Sequence, residues 1–134
     1  NWPRISRWAR AHRKLFVASV GPGYNDTRIR PWNGAATTSR QSGKVYQDAW
    51  TAALDADAGA VSITSYNEWG EGTQIEPAAS KQGARGGYQD YGGDPDLYLS
   101  LTKRMAERMY ARRRDSTASE TRNLSSRRDM TDEL

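Results

Sequence analysis

Two glutamates stand three positions apart in the segment SYNEWGEGTQIEP, residues 65–77. Glu68 and Glu71 flank Trp69 and a glycine, and Asn67 comes directly before them. Cleavage of a glycosidic bond usually needs two carboxyl groups, one that protonates the leaving oxygen and one that supplies negative charge or takes a proton. The spacing alone is weak evidence, because such pairs also occur on solvated helices. The uncharged, aromatic surroundings favour acid–base chemistry in a shared cavity.

Other kinds of catalytic site find little support in the composition. Cysteine is absent, which excludes thiolate chemistry, disulfides and cysteine metal ligands. The one histidine, His12, lies in a basic stretch that is typical of a solvated helix, and any Ser-His-Asp triad would have to use it. Zinc needs three or four clustered ligands, and the sequence shows no such cluster. We therefore expect no metal site and no cofactor.

The sequence predicts alternating helices and strands around the glutamates. Apolar periodicity indicates helices at 3–14, at 44–58 and from about residue 94 onward, and short apolar runs indicate buried strands at 14–21 and 60–66. Such alternation gives a parallel sheet with crossover helices. Ligands of parallel α/β folds bind at the carboxyl ends of the strands. The loops that follow the two strands should therefore meet at one rim.

The loop after the first strand adds side chains that suit a sugar. Aromatic faces stack on the C–H surfaces of sugars, while carboxylates, amides and arginines hydrogen-bond to hydroxyls. The residues of this kind are Tyr24, Asp26, Arg28, Arg30 and Trp32. Two strands are too few for a stable parallel sheet, which needs both faces covered. We therefore expect the chain to be the end of a larger fold.

Three segments together resemble glycoside hydrolase family 99, the endo-α-mannosidases. They are VSITSYNEWGEGTQIEP, SVGPGYNDTRIRPWN upstream of it and YQDYGGDPDLYLSLT downstream. The family fold is a (β/α)8 TIM barrel, and the segments resemble its last two strands with their loops. A whole barrel needs about 250 residues. The resemblance implies an α/β fold, with the C-terminal portion of a barrel at residues 1–111. Residues 112–134 are polar and of mixed charge, and we expect this tail to be disordered.

The resemblance also implies a reaction. The family hydrolyses internal α-1,2-mannosidic bonds of N-glycans or mannans with retention, through a 1,2-anhydro sugar. Glu68 would be the base that assists the sugar's own 2-hydroxyl. Glu71 would be the acid that protonates the leaving group and then the base that activates water.

Four further residues follow from the family motifs. Tyr24, Arg30 and Asn67 match positions that line the sugar site. Trp69 is either a substrate contact or a ring that packs beneath the loop. Gly70 stands where animal members carry histidine, which affects subsite detail rather than the chemistry.

The expected partner is a mannose-containing oligosaccharide, bound by a monomer. The net charge of +4 allows contact with polyanions, but no aromatic residues are interleaved among the tail arginines, so we expect no nucleic acid partner. No run of about eighteen apolar residues is present, so we expect no membrane segment. The final TDEL resembles the KDEL retrieval signal with Thr for Lys. Either it is such a signal, in a protein of the Golgi or endoplasmic reticulum lumen, or it is an uninformative acidic end.

Three alternatives stay open. Similar NEW-x-EGT segments occur in glycan-biosynthesis proteins that resemble glycosyltransferases, although GTQIEP and PGYNDTRIRPWN favour the mannosidase. A basic nucleic-acid-binding module would leave the glutamates unexplained. A third possibility is an idle fragment that keeps only a sugar-binding surface. We expect the isolated chain to be inactive, because most contacts to the sugar would come from the remaining barrel strands.

Overall fold

The computed structural model describes residues 1–79 and 88–129, with side chains through residue 118. In this part of the chain the helices and strands follow the predicted order. They are α1 (Trp2–Ala11), β1 (Val17–Val20), α2 (Lys44–Asp55), β2 (Ala60–Ile63) and α3 (Leu97–Asp129). Two 3-10 helices, Pro31–Ala36 and Gln41–Gly43, interrupt the loop between β1 and α2. The predicted alternation of helix and strand is confirmed, and both strands are shorter than expected.

β1 and β2 pair in parallel, with Val17 opposite Ala60 and Val20 opposite Ile63. The connection between them contains α2, as expected for a parallel crossover. Alternate side chains of β1 are buried, so one face of this strand contributes to the core. Because the strands are adjacent and parallel, the loops that follow Val20 and Ile63 leave from the same edge of the sheet.

The core of the N-terminal part is built largely by α2. Its buried side chains lie at positions that share one helical face: Tyr46, Trp50, Ala53 and Leu54. The ring of Tyr46 meets that of Tyr98 edge to face, with centroids 5.5 Å apart. The Tyr46 hydroxyl is 2.8 Å from the hydroxyl of Thr102. These contacts fix the first turns of α3 against α2.

Several apolar side chains of α1, β1 and the segment between them are exposed. α1 carries Pro in its first turn, where the missing N–H costs nothing. Ser6 donates to the carbonyl oxygen of Asp57 at 3.2 Å, which holds the helix near the end of α2. Trp8 and Leu15 are 58% and 69% exposed. A sheet with more parallel strands would cover such surface, since parallel sheets are normally buried on both faces.

The C-terminal segment differs from expectation. Residues 112–134 are predicted to be disordered, whereas the structure continues α3 to Asp129. Arginine, alanine and glutamate favour helix, and extending an existing helix avoids the cost of nucleation. Two compact units are distinguished, Asn1–Thr102 and the remainder from Lys103. The TDEL motif and residues 80–87 lie outside the described residues.

Within the described ranges, no helix combines the length and the apolar character needed to cross a membrane.

Candidate active site

The loops that follow β1 and β2 contact one another directly at Glu71. The backbone N–H of Asn25 donates to the carbonyl oxygen of Glu71 at 2.8 Å. The next residue, Gly72, has φ +62°, a conformation that favours glycine. A Cβ atom on Gly72 would lie 2.9 Å from the carbonyl oxygen of Asn25. The backbone after Glu71 therefore lies against the first loop at a distance that only glycine allows.

Residues 65–77, called the glutamate loop below, fold back on themselves. Ser65 and Thr73 close the loop, with a backbone hydrogen bond of 3.0 Å and 2.8 Å between their hydroxyl oxygens. The hydroxyl of Ser65 also accepts from the backbone N–H of Glu68 at 3.0 Å. Glu68 and Glu71 therefore lie in one closed loop whose base is fixed by hydrogen bonds.

Asp26 is the centre of a hydrogen-bond cluster beside this loop. Its side chain is fully buried, with 0% exposure. It accepts from the Tyr24 hydroxyl at 2.8 Å, from Arg30 Nη1 at 2.8 Å and from Asn33 Nδ2 at 2.9 Å. The hydrogen bond from Arg30, helped by those from Tyr24 and Asn33, holds the pKa of Asp26 below its ordinary value despite burial. Asp26 is therefore a fixed anion that orients three side chains.

Arg30 connects this cluster to Glu71. The same Nη1 atom that contacts Asp26 lies 3.2 Å from Glu71 Oε1. Its hydrogen bonds to Asp26 and then to Glu71 raise the pKa of Arg30, so the guanidinium stays charged. The hydrogen bond to Asp26 also raises the pKa of the Tyr24 hydroxyl, which stays neutral at physiological pH. Among the described residues, the second carboxylate oxygen of Glu71 has no hydrogen-bond partner.

The side chain of Glu68 lies close to Gly70, the residue directly before Glu71. A Cβ atom on Gly70 would meet Glu68 Oε1 and Ile29 Cδ1, each at 3.3 Å. Glu68 is exposed, and its carboxylate makes no hydrogen bond within the described part of the chain. Asn67 is exposed as well, and its side chain does not join the Asp26 cluster.

Trp69 is tied to the far part of the glutamate loop. Its indole N–H donates to Glu76 Oε2 at 2.8 Å, and its ring meets Tyr88 edge to face at 5.5 Å. The guanidinium of Arg28 lies 4.0 Å from the centroid of the Tyr88 ring. An open cavity of about 280 Å³ adjoins these rings; it is lined by Asn25, Thr27, Arg28, Trp69, Gly72, Tyr88 and Gln89. The indole nitrogen is therefore occupied, and a sugar contact by Trp69 would have to use its ring.

The structure thus joins Tyr24, Arg30 and Glu71 in one network and places Glu68 in the same loop as Glu71. The sequence predicted Asp26 as one of the rim residues that suit a sugar, whereas its side chain is fully buried and connects Tyr24 to Arg30. Sequence reasoning missed Asn33 altogether, and nothing in the sequence distinguishes this asparagine from a turn residue. Within residues 1–79 and 88–118, whose side chains the structure describes, no cluster of three or more His, Asp or Glu side chains could hold a metal ion.

Comparison with known proteins identifies the family. The model named Glycosyl hydrolase family 99 matches residues 1–111. A human protein named glycoprotein endo-alpha-1,2-mannosidase-like protein is 50% identical over 108 residues, which is 80% of this chain and 24% of that protein. The rat protein named glycoprotein endo-alpha-1,2-mannosidase is 45% identical over 109 residues, 81% of this chain and 24% of that protein. The chain therefore spans about a quarter of the length of these relatives.

Solved structures agree. The GH99 endo-alpha-mannosidase of Bacteroides thetaiotaomicron, in complex with bis-tris-propane, superposes with a TM-score of 0.81 at 50% identity, covering 86% of this chain and 36% of that one. A second structure of the GH99 endo-alpha-mannosidase from this organism has a TM-score of 0.77 at 50% identity and covers 84% and 34%. These neighbours are TIM barrels, and the chain matches about a third of each. The resemblance seen in the sequence is confirmed, and the chain belongs to glycosyl hydrolase family 99.

Proposed function

We propose that this chain forms the C-terminal part of a retaining endo-α-1,2-mannosidase, with Glu68 and Glu71 as its catalytic residues. The observation that carries the proposal is the contact between the two loops. That contact places Glu71 beside the charged Arg30 and, through Asp26, beside Tyr24. Membership of a family of glycoside hydrolases supports the reaction class.

In the first step of the proposed reaction, the substrate's 2-hydroxyl oxygen attacks the anomeric carbon and gives its proton to Glu68. The bond to the leaving oxygen breaks as Glu71 protonates that oxygen. The product of this step is a 1,2-anhydro sugar. Glu71 becomes a carboxylate when it gives up its proton. The positively charged Arg30 lies beside it and stabilises that carboxylate.

In the second step, water attacks the anomeric carbon and gives its proton to Glu71. The strained bond between this carbon and the 2-oxygen opens, and that oxygen takes the proton back from Glu68. Two inversions at one carbon give net retention. Both glutamates return to their starting states, so the cycle is balanced in protons and bonds.

Three other residues have binding roles in this proposal. The Tyr24 hydroxyl donates to Asp26, so its oxygen is left to accept from a sugar hydroxyl. The amide of Asn67 is exposed beside Glu68 and suits a hydroxyl contact. Trp69 would offer its ring to the C–H face of a sugar. The aromatic rings around the adjoining cavity support a carbohydrate as the ligand.

The names of the relatives support the substrate. They are described as glycoprotein endo-alpha-1,2-mannosidases. We propose a mannose-containing glycan as the substrate, a monomeric enzyme, and a site of action in the lumen of the Golgi or endoplasmic reticulum. Because the chain covers 24% of such a relative, we expect the isolated chain to be inactive.

The test uses a complete barrel, made by placing residues 1–111 in the corresponding segment of the Bacteroides thetaiotaomicron enzyme. Turnover is measured on a glucosylated α-1,2-mannoside. We expect Glu68→Gln and Glu71→Gln each to lower kcat by roughly 100- to 10,000-fold, the contribution typical of acid–base catalysis. Glu107→Gln, at an exposed position in α3, is the matched control and should leave kcat unchanged. Normal turnover by either variant would remove that glutamate from its role.

A further inference from the structure

We infer that Arg40 is a positioning residue for the reaction, because it holds the backbone that follows Glu71. Arg40 lies at the end of the first loop and is only 7% exposed. Its Nη2 atom donates to the carbonyl oxygens of Gly72 and Gln74, both at 2.9 Å. One guanidinium nitrogen therefore binds two carbonyls of the glutamate loop. This inference rests on the proposed function.

The charge of Arg40 has an unusual set of partners. No carboxylate contacts it among the residues that the structure describes, and its Nη1 atom has no hydrogen-bond partner there. The cation instead meets carbonyl dipoles, the side-chain oxygen of Gln89 at 3.3 Å, and the rings of Tyr91 and Tyr98 at 5.1 and 4.9 Å. The guanidinium carbon lies close to both rings while Nη2 and Nε donate to different partners, an arrangement that suits the several nitrogens of a guanidinium better than the single nitrogen of an ammonium.

Tyr91 is a second residue that holds the backbone after Glu71. The hydroxyl of Tyr91 lies 3.0 Å from the carbonyl oxygen of Gln74 and 2.7 Å from that of Glu76, so its single proton can be donated to either carbonyl. Gln74 itself is fully buried. The half of the glutamate loop that follows Glu71 is therefore fixed by Arg40 and Tyr91 together.

Arg40 also packs against Gly23 at the start of its own loop, so it joins both ends of the first loop to the glutamate loop. A Cβ atom on Gly23 would lie 2.9 Å from Arg40 Cγ and 2.8 Å from the carbonyl oxygen of Thr38. Tyr24 and Thr38 form an isolated antiparallel bridge just beside this contact. If Arg40 is lost, the backbone after Glu71 is free to move relative to Tyr24 and its cluster. A small shift of a catalytic carboxyl group lowers the rate of the chemical step more than it weakens binding.

The test uses Arg40→Lys in the complete barrel described above. Lysine keeps the charge, but its one nitrogen cannot occupy both the Nη2 position, which bonds to the two carbonyls, and the Nε position, which bonds to Gln89. We expect kcat to fall at least tenfold while KM changes by less than threefold, with kcat expressed per folded molecule. Arg7→Lys, at an exposed position in α1, is the matched control and should change neither constant. Arg40→Ala with added ethylguanidinium provides a rescue test, in which kcat should rise at least threefold.

Each result has a defined meaning. An inactive parent enzyme would overturn the proposed function, whereas an active parent with an inactive Glu71→Gln variant would uphold it. In that second case, an Arg40→Lys kcat within twofold of the parent would overturn the role of Arg40. So would a loss of total rate that disappears once kcat is expressed per folded molecule, with the folded fraction measured by near-UV circular dichroism. If Arg40→Lys does not fold, Tyr91→Phe tests the same contacts with the backbone after Glu71. This variant must lower kcat at least threefold for the inference to stand.

Discussion

Gly72 is the residue at which the close approach of the two loops can be tested most sharply. It has φ +62°, and an added Cβ atom would lie 2.9 Å from the carbonyl oxygen of Asn25 and 3.2 Å from its nitrogen. Gly92 is the matched control, because it has φ +70° and nothing within 4 Å of an added Cβ atom. Both glycine-to-alanine changes carry the same conformational cost, about 1 kcal/mol. Only Gly72→Ala adds a backbone collision.

The size of the difference follows from what the collision displaces. The two loops must separate by several tenths of an ångström, which strains the hydrogen bond from Asn25 to Glu71 (2.8 Å). Loss of a buried backbone hydrogen bond costs roughly 1–3 kcal/mol. We therefore expect Gly72→Ala to lower the free energy of unfolding by about 2–4 kcal/mol, against about 1 kcal/mol for Gly92→Ala.

The assay is thermal unfolding of the complete barrel, followed by differential scanning calorimetry. At about 2–4 °C per kcal/mol for a large domain, the Tm of Gly72→Ala should lie roughly 2–12 °C below that of Gly92→Ala. Its kcat should fall as well, because Glu71 moves with the backbone. Equal Tm values for the two variants would refute the argument, since they would show that Asn25 and Gly72 do not approach at this distance.

Two predictions concern pH. Hydrogen bonds, chiefly from Arg30, hold the pKa of Asp26 below its ordinary value of 3.8; the stabilisation is therefore present above that pH and is lost as pH falls through the folded-state pKa. Asp26→Asn should flatten the acid limb of Tm against pH, and a curve parallel to the parent's would contradict this. Burial raises the pKa of Tyr91 from 10.0 to about 12, so its stabilisation is present below pH 10 and is lost as pH rises toward 12. Tyr91→Phe should make the alkaline decline shallower, whereas Tyr110→Phe, at an exposed position, should leave it unchanged.

The order of helices and strands could be predicted because it depends on local patterns. Apolar runs and periodicity mark the elements, and the parallel crossover follows from their alternation. The meeting of the two loops could also be predicted, since loops at the carboxyl ends of neighbouring parallel strands share an edge. Tyr24, Arg30 and Glu71 do lie in one network. Their placement required only the topology and the residue types.

The partners within that network could not be predicted, because they depend on how two irregular loops pack. Asp26 and Arg40 are charged residues in turn-rich sequence, where a solvated position is the ordinary expectation. Arg40 is buried by contacts with residues more than 30 positions away in the sequence. Its carbonyl partners are those of Gly72 and Gln74. The C-terminal segment could not be predicted for a different reason. Its polar composition indicates disorder, whereas in the structure it extends α3, which needs no new helix nucleus.

The separate roles of Glu68 and Glu71 can be tested with a substrate whose leaving group is fluoride, which departs without being protonated. The measurement is fluoride release in the first turnover by the complete barrel. Glu71→Gln should release fluoride at a rate within about tenfold of the parent, because only the acid is missing. Glu68→Gln should stay at least about 100-fold slower, since the 2-hydroxyl still lacks its base. Recovery by Glu68→Gln instead, or equally slow release by both variants, would contradict the assignment.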